Sequence, residues 1–105
     1  MNYLFFGLGS IGQRHLRNLL SLDKNAKIFA LRKKYISPLL DHKNNKINGS
    51  ISGRYNIKNI HNLKFLENNK IKINAAFVCT PSSMHVNQAL WCLKNDINVF
   101  IEKPV

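Results

Sequence analysis

The 105-residue sequence predicts an α/β domain, a doubly wound parallel sheet with helices on both faces in a three-layer α/β/α arrangement. Two observations support this. Short apolar strand patterns alternate with helical patterns along the chain, and a glycine-rich turn joins the first strand to the first helix. The length fits one domain, at the small end for such a sheet. We therefore expect a single domain over residues 1–105.

The first thirty residues have the pattern of a strand, a helix and a second strand, which is the size of one crossover unit. Asn2–Phe6 is the mostly apolar run expected of a strand buried on both faces. Residues 11–22 are expected to form a helix with an apolar face, and Lys27–Leu31 the next strand. The apolar face consists of Leu16, Leu19 and Leu20, and the polar positions are Gln13, Arg14, Arg17 and Asn18.

The middle of the chain has weaker patterns. Residues 35–52 are expected to be irregular, with a short helix before Asp41. Residues 54–60 hold a candidate third strand, and Asn62 is a candidate cap for a brief helix that runs to about Asn69.

The pattern becomes clear again near the end. Residues 75–79 are expected to form a buried strand that ends at Thr80-Pro81-Ser82-Ser83, with Ser83 capping the next helix. Asn98–Ile101 is the expected last strand. The apolar positions at helical spacing between these strands are Val86, Ala89, Leu90 and Leu93.

The chain is strongly basic, with 16 Lys and Arg against 5 Asp and Glu and a formal charge of +11. Such a charge suits a protein that binds polyanions, so a basic nucleic-acid-binding domain stays an alternative. The basic residues are scattered, however, apart from Arg32-Lys33-Lys34, which favours a solvated surface. The aromatic residues that could stack on bases lie in predicted buried strands; they are Tyr3, Phe5, Phe6, Phe77 and Phe100.

The sequence does not indicate a membrane-spanning protein, a signal peptide, a disulfide or a metal site. No run approaches the roughly 18–20 apolar residues of a membrane span, and no signal-peptide pattern is visible. Cys79 and Cys92 are expected to be buried, reduced thiols of a cytoplasmic protein rather than a disulfide. The four histidines and two cysteines lack metal-ligand spacing, so we expect no metal site.

Gly7-Leu8-Gly9-Ser10-Ile11-Gly12 follows a buried strand and opens a helix, the context in which a G-x-G-x-x-G turn binds a dinucleotide. Gly7 permits the tight turn, Gly9 lets a pyrophosphate approach the backbone, and Gly12 allows close packing of helix and strand. The N–H groups of the first helical turn, which contains Ser10 and Ile11, would hold the phosphate charge. A glycine-rich turn that binds nothing is the alternative.

The residue after the second strand bears on which dinucleotide binds. An acidic residue there would accept hydrogen bonds from the ribose 2′-hydroxyl of NAD. This chain instead has Arg32 and Lys33, and a guanidinium can bind a 2′-phosphate in a charge-assisted, bidentate way. The sequence therefore favours NADP over NAD, with solvated basic residues at a strand end as the alternative.

Three motifs together resemble the N-terminal Rossmann domain of the glucose-fructose oxidoreductase / inositol dehydrogenase (Gfo/Idh/MocA) family. They are the glycine turn with Gln13-Arg14-His15, the stretch from Cys79 through Thr80-Pro81-Ser82-Ser83-Met84 to His85, and the terminal Glu102-Lys103-Pro104. They occur in the family's order and at about its spacing. The resemblance extends over residues 3–105 and is weakest between residues 35 and 59.

The resemblance implies an oxidoreductase that moves a hydride between a nicotinamide dinucleotide and a carbon of a sugar, polyol or nucleotide-sugar-like substrate. By that resemblance, Thr80, Pro81, Ser82 and His85 border the ribose and nicotinamide. Glu102 and Lys103 match the Glu-Lys-Pro motif, whose lysine reaches the substrate hydroxyl and assists proton transfer as the catalytic residue. A partly desolvated ammonium near a cationic nicotinamide can exchange a proton near neutral pH.

The chain departs from the family pattern by ending one residue after the Glu-Lys-Pro motif, whereas family members continue into a substrate domain. The resemblance therefore implies a single incomplete domain, the cofactor-binding part of an oxidoreductase that is not catalytically complete alone, with a separate substrate domain or a homo-oligomer as possible partners. A non-catalytic NAD(P)-binding module is the further alternative. His15 is expected to be a packing or capping residue of the first helix rather than a ligand.

Overall fold

Within the residues that the computed structural model describes (1–32, 38–80 and 82–102, with the backbone alone at 82), five parallel strands form one sheet. They are β1 (Asn2–Phe6), β2 (Lys27–Leu31), β3 (Lys58–Ile60), β4 (Ala75–Val78) and β5 (Asn98–Ile101). The strand order is β3-β2-β1-β4-β5, so the winding reverses between β1 and β4. The predicted doubly wound parallel sheet is confirmed.

The helices form the two outer layers. They are α1 (Ser10–Leu22), α2 (Ile51–Tyr55), α3 (Lys64–Asn68) and α4 (His85–Lys94), the last preceded by a 3-10 turn at Ser82–Met84. Successive side chains of β1 point to opposite faces, as strand geometry requires. Phe5 therefore packs in a core with residues of α1 and α2, and Phe6 in a second core with residues of α3 and α4.

The first crossover unit agrees with its prediction. Strands β1 and β2 have the predicted bounds, and α1 begins one residue before the predicted helix. Leu16 is fully buried, and Leu19 and Leu20 pack against the same core, so the predicted apolar face of α1 is confirmed. All five residues of β1 pair with β2, from Asn2 opposite Lys27 to Phe6 opposite Leu31.

The middle of the chain differs from its prediction. Only the last three residues of the expected strand 54–60 form β3, because α2 occupies residues 51–55. Ser50 caps that helix by accepting a hydrogen bond from the N–H of Gly53, and Asn56 ends it in a left-handed conformation (φ 52°). Of the short helix expected before Asp41, residues 38–40 are not helical and residues 33–37 lie outside the described part of the chain.

Of the two residues predicted to cap the next helices, Asn62 at α3 and Ser83 at α4, only Asn62 makes a capping hydrogen bond within the described part of the chain. Leu63 is the residue that precedes α3, and Asn62, one position earlier, accepts a hydrogen bond from the N–H of Phe65 in the first turn at 3.2 Å. Asn62 therefore makes the expected hydrogen bond from one residue before the cap position. Ser83, in contrast, lies within the 3-10 turn, and Met84 is the residue that precedes α4. The expected capping role of Ser83 was therefore wrong.

Strand β5 and helix α4 are more exposed than their apolar patterns indicated. Phe100 was expected to be buried but is 48% exposed, because β5 is an edge strand with a neighbour on one side among the described residues. The face of α4 that contacts the core includes Cys92 and Trp91. Three of the four apolar residues that were predicted to form the buried face of this helix are exposed instead. They are Val86, Leu90 and Leu93.

Gln13 is fully buried, although the sequence placed it on the polar side of α1. Its side-chain amide donates to the carbonyls of Leu8 and Pro38, at 3.0 and 2.9 Å, and its carbonyl accepts from the N–H of Leu40 at 2.9 Å. Buried polar groups need such partners, and here one side chain supplies them for a segment without regular structure. Gln13 therefore attaches residues 38–40 to α1.

We expect Gln13→Ala to lower the free energy of unfolding by about 2–3 kcal/mol, because it leaves buried backbone groups without their partners. Asn18→Ala, at an exposed position of the same helix, is the control and should change it by less than about 0.5 kcal/mol. Urea denaturation followed by circular dichroism measures both. Equal unfolding midpoints for the two variants would show that the Gln13 hydrogen bonds contribute little.

Candidate dinucleotide site at the carboxyl edge of the sheet

The carboxyl ends of four strands meet at one edge of the sheet and bring distant motifs together. The N–H of Gly7, directly after β1, donates to the carbonyl of Leu31 in β2 at 3.4 Å. The N–H of Cys79 donates to Phe6, and that of Glu102 to Val78, at 2.9 and 3.0 Å. The glycine turn, the Thr80 loop and the Glu-Lys-Pro segment thus begin side by side. In open α/β sheets, ligands bind at this edge, where the winding reverses.

The glycine turn is tight for two separate reasons. Gly7 has a φ of +90°, which side-chain-bearing residues rarely adopt. A Cβ at Gly12 would lie 2.6 Å from the carbonyl oxygen of Gly7, so the first turn of α1 packs directly on the end of β1. A Cβ at Gly9, in contrast, would meet no atom of the described protein within 4 Å. The structure therefore leaves open space over Gly9.

The N-terminus of α1 faces this space. Gly9 is the residue before the helix, and its carbonyl accepts the N–H of Gln13 at 2.9 Å. No side chain of the described residues caps this end, and the first turn contains no acidic residue. The N–H groups at Ser10 and Ile11 precede the first intrahelical hydrogen bond, so they are available to an anion, which the helix dipole also favours.

The loop after β4 borders the glycine turn. A Cβ at Gly7 would lie 3.2 Å from both the Thr80 methyl group and the Cys79 carbonyl oxygen. The Thr80 hydroxyl is hydrogen bonded to Gln88, and Nε2 of His85 to the Thr80 carbonyl. Because His85 is only 9% exposed, its ring holds this loop in place from within the fold.

Arg32 follows β2 directly at the same edge. It is only 7% exposed, and its Nε donates to the side-chain carbonyl of Asn59 in β3 at 3.1 Å. The amide of Asn59 in turn donates to the Ser52 hydroxyl at 2.6 Å. The interpretation of Arg32 as a solvated residue therefore does not fit, and the hydrogen bonds fix its guanidinium against β3.

His15 and Glu102 form a contact that sequence reasoning missed. Nε2 of His15, on α1, lies 2.7 Å from a carboxylate oxygen of Glu102, the residue after β5. The His15 ring also packs against Phe77 and Phe100, with centroid distances of 6.0 and 5.1 Å. The packing role predicted for His15 is confirmed. Its hydrogen bond was not foreseen because the partner is 87 positions away in sequence.

A basic groove of about 400 Å³ starts at the first turn of α1 and follows its outer surface. Its lining includes Ser10 and Ile11 together with Arg14, Arg17 and His42. Arg17 also donates to the Leu40 carbonyl at 3.3 Å, which joins the helix to the segment that leads to His42. Glu102 is an acidic side chain at the carboxyl edge, and its carboxylate contacts the His15 ring.

Three predicted site residues, Lys33, Pro81 and Lys103, lie outside the described residues, and of Ser82 the backbone is placed in the 3-10 turn. The structure thus brings together eight others at or beside one edge of the sheet. They are Gly7, Gly9, Ser10, Ile11, Gly12, Arg32, Thr80 and Glu102, with His85 behind the Thr80 loop.

The two cysteines differ in burial. Cys92 is buried as expected, Cys79 is half-buried, and both are free thiols. Burial raises the pKa of the Cys79 thiol to about 11, and the negative charge of Glu102 adds to this shift. Among residues 1–32, 38–80 and 82–102, no helix is long and apolar enough to cross a membrane, and no cluster of three metal-ligating side chains occurs.

Comparison with known proteins gives one family match over the whole chain. The family is Gfo/Idh/MocA, described as an oxidoreductase family with an NAD-binding Rossmann fold, and its sequence model matches residues 1–105. No curated protein sequence matches this chain.

Solved structures of oxidoreductases share the fold. UDP-N-acetylglucosamine 3-dehydrogenase GnnA from Acidithiobacillus ferrooxidans is 17% identical with a TM-score of 0.68, and 99% of this chain covers 30% of that one. An oxidoreductase from Bacillus cereus is 22% identical with a TM-score of 0.70, and 99% of this chain covers 27% of it. Dipicolinate-bound dihydrodipicolinate reductase from Paenisporosarcina sp. TG-14 is 21% identical with a TM-score of 0.64, and 99% of this chain covers 37% of that one. The chain therefore spans between 27% and 37% of the length of these proteins.

We expect Gly12→Ala to lower the free energy of unfolding by about 2 kcal/mol or more, because the new methyl group would collide with the Gly7 carbonyl. Gly9→Ala is the matched control, since its methyl group enters open space at a φ of −72° that alanine adopts easily, and its change should stay within about 1 kcal/mol. Urea denaturation of both variants measures this. A Gly12→Ala midpoint equal to that of Gly9→Ala would contradict the close packing.

Proposed function

Because the chain belongs to the Gfo/Idh/MocA family of oxidoreductases with an NAD-binding Rossmann fold, we propose that it forms the nucleotide-binding part of an NADP-dependent oxidoreductase acting on a hydroxyl-bearing carbon. The proposed substrate class is a sugar, a polyol or a nucleotide sugar. The observation that carries the proposal is the open space over Gly9, bordered by the N-terminus of α1. A pyrophosphate there would accept hydrogen bonds from the N–H groups of Ser10 and Ile11.

The rest of the carboxyl edge supports the orientation of the dinucleotide. The adenosine half would lie toward Arg32 and the nicotinamide half toward the Thr80 loop, since the glycine turn separates the two. His85 would act on the nicotinamide side by holding the Thr80 carbonyl in place. When bound, the nicotinamide ring supplies hydride transfer.

Proton transfer is assigned to Lys103, on the resemblance of Glu102-Lys103-Pro104 to the family motif. Oxidation of an alcohol requires the hydroxyl proton to leave as the hydride departs, and an amine that has lost its proton can accept it. The described chain brings Glu102, the residue before this lysine, to the edge where the nicotinamide half would lie. We propose that polypeptide outside residues 1–105, such as a substrate domain or a second copy of the chain, contributes to the substrate pocket.

The preference for NADP rests on the end of β2. An NAD site has a carboxylate there, whereas this chain has the guanidinium of Arg32. The basic groove beside α1 adds positive charge near the phosphates, through Arg14 and Arg17. A non-catalytic NADP-binding module would have the same features, and turnover of a sugar or polyol in the presence of a substrate domain would distinguish the two.

We expect Gly9→Ala to raise the Kd for NADPH roughly tenfold or more, because its methyl group would occupy the space proposed for the pyrophosphate. Titration followed by nicotinamide fluorescence measures the Kd. Leu22→Ala, at an 87% exposed position at the far end of the same helix, is the control and should bind as the unmodified chain does. Absence of saturable NADPH and NADH binding by the folded, unmodified chain would exclude the proposed function.

We expect Arg32→Gln to weaken NADPH binding about tenfold and to leave the Kd for NADH within about twofold, because the 2′-phosphate would lose its charged partner. Arg54→Gln, which removes the same charge from an exposed position on α2, controls for net charge. Thermal unfolding of both variants checks the fold, since Arg32 is buried against Asn59. Equal losses for both dinucleotides would argue that Arg32 is structural.

A further inference from the structure

We infer that His15 is a positioning residue, which through its hydrogen bond to Glu102 holds the end of β5 and thereby the place from which Lys103 reaches the substrate. The inference rests on the proposed function, because it concerns the lysine that we assign to proton transfer. It adds a residue of the first helix to the arrangement of the Glu-Lys-Pro segment.

The His15–Glu102 contact has the geometry of a strong hydrogen bond. The Nε2 to Oε2 distance is 2.7 Å, and the two side chains are only 24% and 29% exposed. An ionised carboxylate can only accept, so Nε2 of His15 carries the proton in this contact, whether the ring is neutral or charged. A hydrogen bond to an ionised acceptor is stronger than one between neutral groups.

The His15 ring packs on two aromatic rings, Phe77 and Phe100, whose own centroids are 5.8 Å apart. Phe77 of β4 lies beside it and Phe100 of β5 meets it at an interplanar angle of 64°. The charged group in contact with this ring is the Glu102 carboxylate. The Cys79 thiol, which interacts with the same carboxylate, has a raised pKa and is therefore protonated at neutral pH.

Glu102 is held by its backbone as well as by its side chain. Its N–H donates to the Val78 carbonyl at 3.0 Å, which continues the pairing of β4 and β5 one residue beyond the strand. With the side chain bound to α1, the residue that precedes Lys103 has little freedom. Because α1 also begins directly after Gly9, one helix links the proposed pyrophosphate site to Glu102, the residue before the proposed proton-transfer lysine.

A merely structural His15 would stabilise the fold through its ring without affecting Lys103, so the variants must separate the ring from the hydrogen bond. His15→Phe keeps an aromatic ring against Phe77 and Phe100 and removes the donor. His15→Gln removes the ring and keeps a donor. Glu102→Leu breaks the same hydrogen bond from the β5 side, so the test does not depend on one variant folding.

The experiment measures how far NADPH protects Lys103 from acylation by an amine-specific reagent, with the modified lysines quantified by mass spectrometry of the full chain. We expect clear protection in the unmodified chain and a roughly tenfold smaller protection factor in His15→Phe, with the Kd for NADPH changed less than about threefold. His15→Gln should keep most of the protection. Lys94, at the far end of α4, is the internal control and should be modified equally throughout.

The double variant His15→Phe/Glu102→Leu tests whether the two residues act as one unit. We expect its protection factor to equal that of either single variant, because both break the same hydrogen bond. A His15→Phe chain that protects Lys103 as the unmodified chain does would overturn the positioning role and leave the proposed function standing. Absence of NADPH binding by the unmodified chain would overturn both.

Discussion

The close packing of the first turn of α1 on the end of β1 is the constraint on which the rest of the structure depends. It exists because Gly12 has no side chain, since a Cβ there would lie 2.6 Å from the Gly7 carbonyl oxygen. Once Gly12 fixes the rotation and depth of the helix, helical geometry determines where its neighbours point. Gln13 then turns into the protein toward residues 38–40, and His15 turns toward β4 and β5.

The same constraint explains which parts of the fold could be predicted from the sequence. Strands β1 and β2 and helix α1 follow from local apolar patterns and glycine positions, so their bounds were foreseen nearly residue by residue. The segment 38–50 has no such pattern. Its position depends on hydrogen bonds from Gln13. From the sequence, this polar side chain was expected to face solvent. It is instead fully buried, because it is hydrogen bonded to backbone groups inside the fold.

Apolar periodicity also failed to distinguish a covered face from an exposed one at α4 and β5. The spacing of Val86, Leu90 and Leu93 is that of a buried helical face, yet these side chains point away from the core, and Phe100 is half exposed. Periodicity reports that an element is amphipathic, but which surface it meets depends on the neighbouring elements. Here β5 lies at the sheet edge, so the described chain offers these residues no second layer.

In the candidate site too, features formed by contiguous residues could be predicted from the sequence, and contacts between distant residues could not. The glycine turn could be predicted because strand, turn and helix are contiguous, whereas the hydrogen bond between His15 and Glu102 joins residues 87 positions apart. Only the parallel topology, which brings the ends of β1, β4 and β5 to one edge, makes them neighbours. The helix that would bind phosphate and the strand that precedes Lys103 are thereby held in one rigid arrangement. Hydride transfer depends on such fixed geometry, because its rate falls steeply with small displacements of the reacting groups.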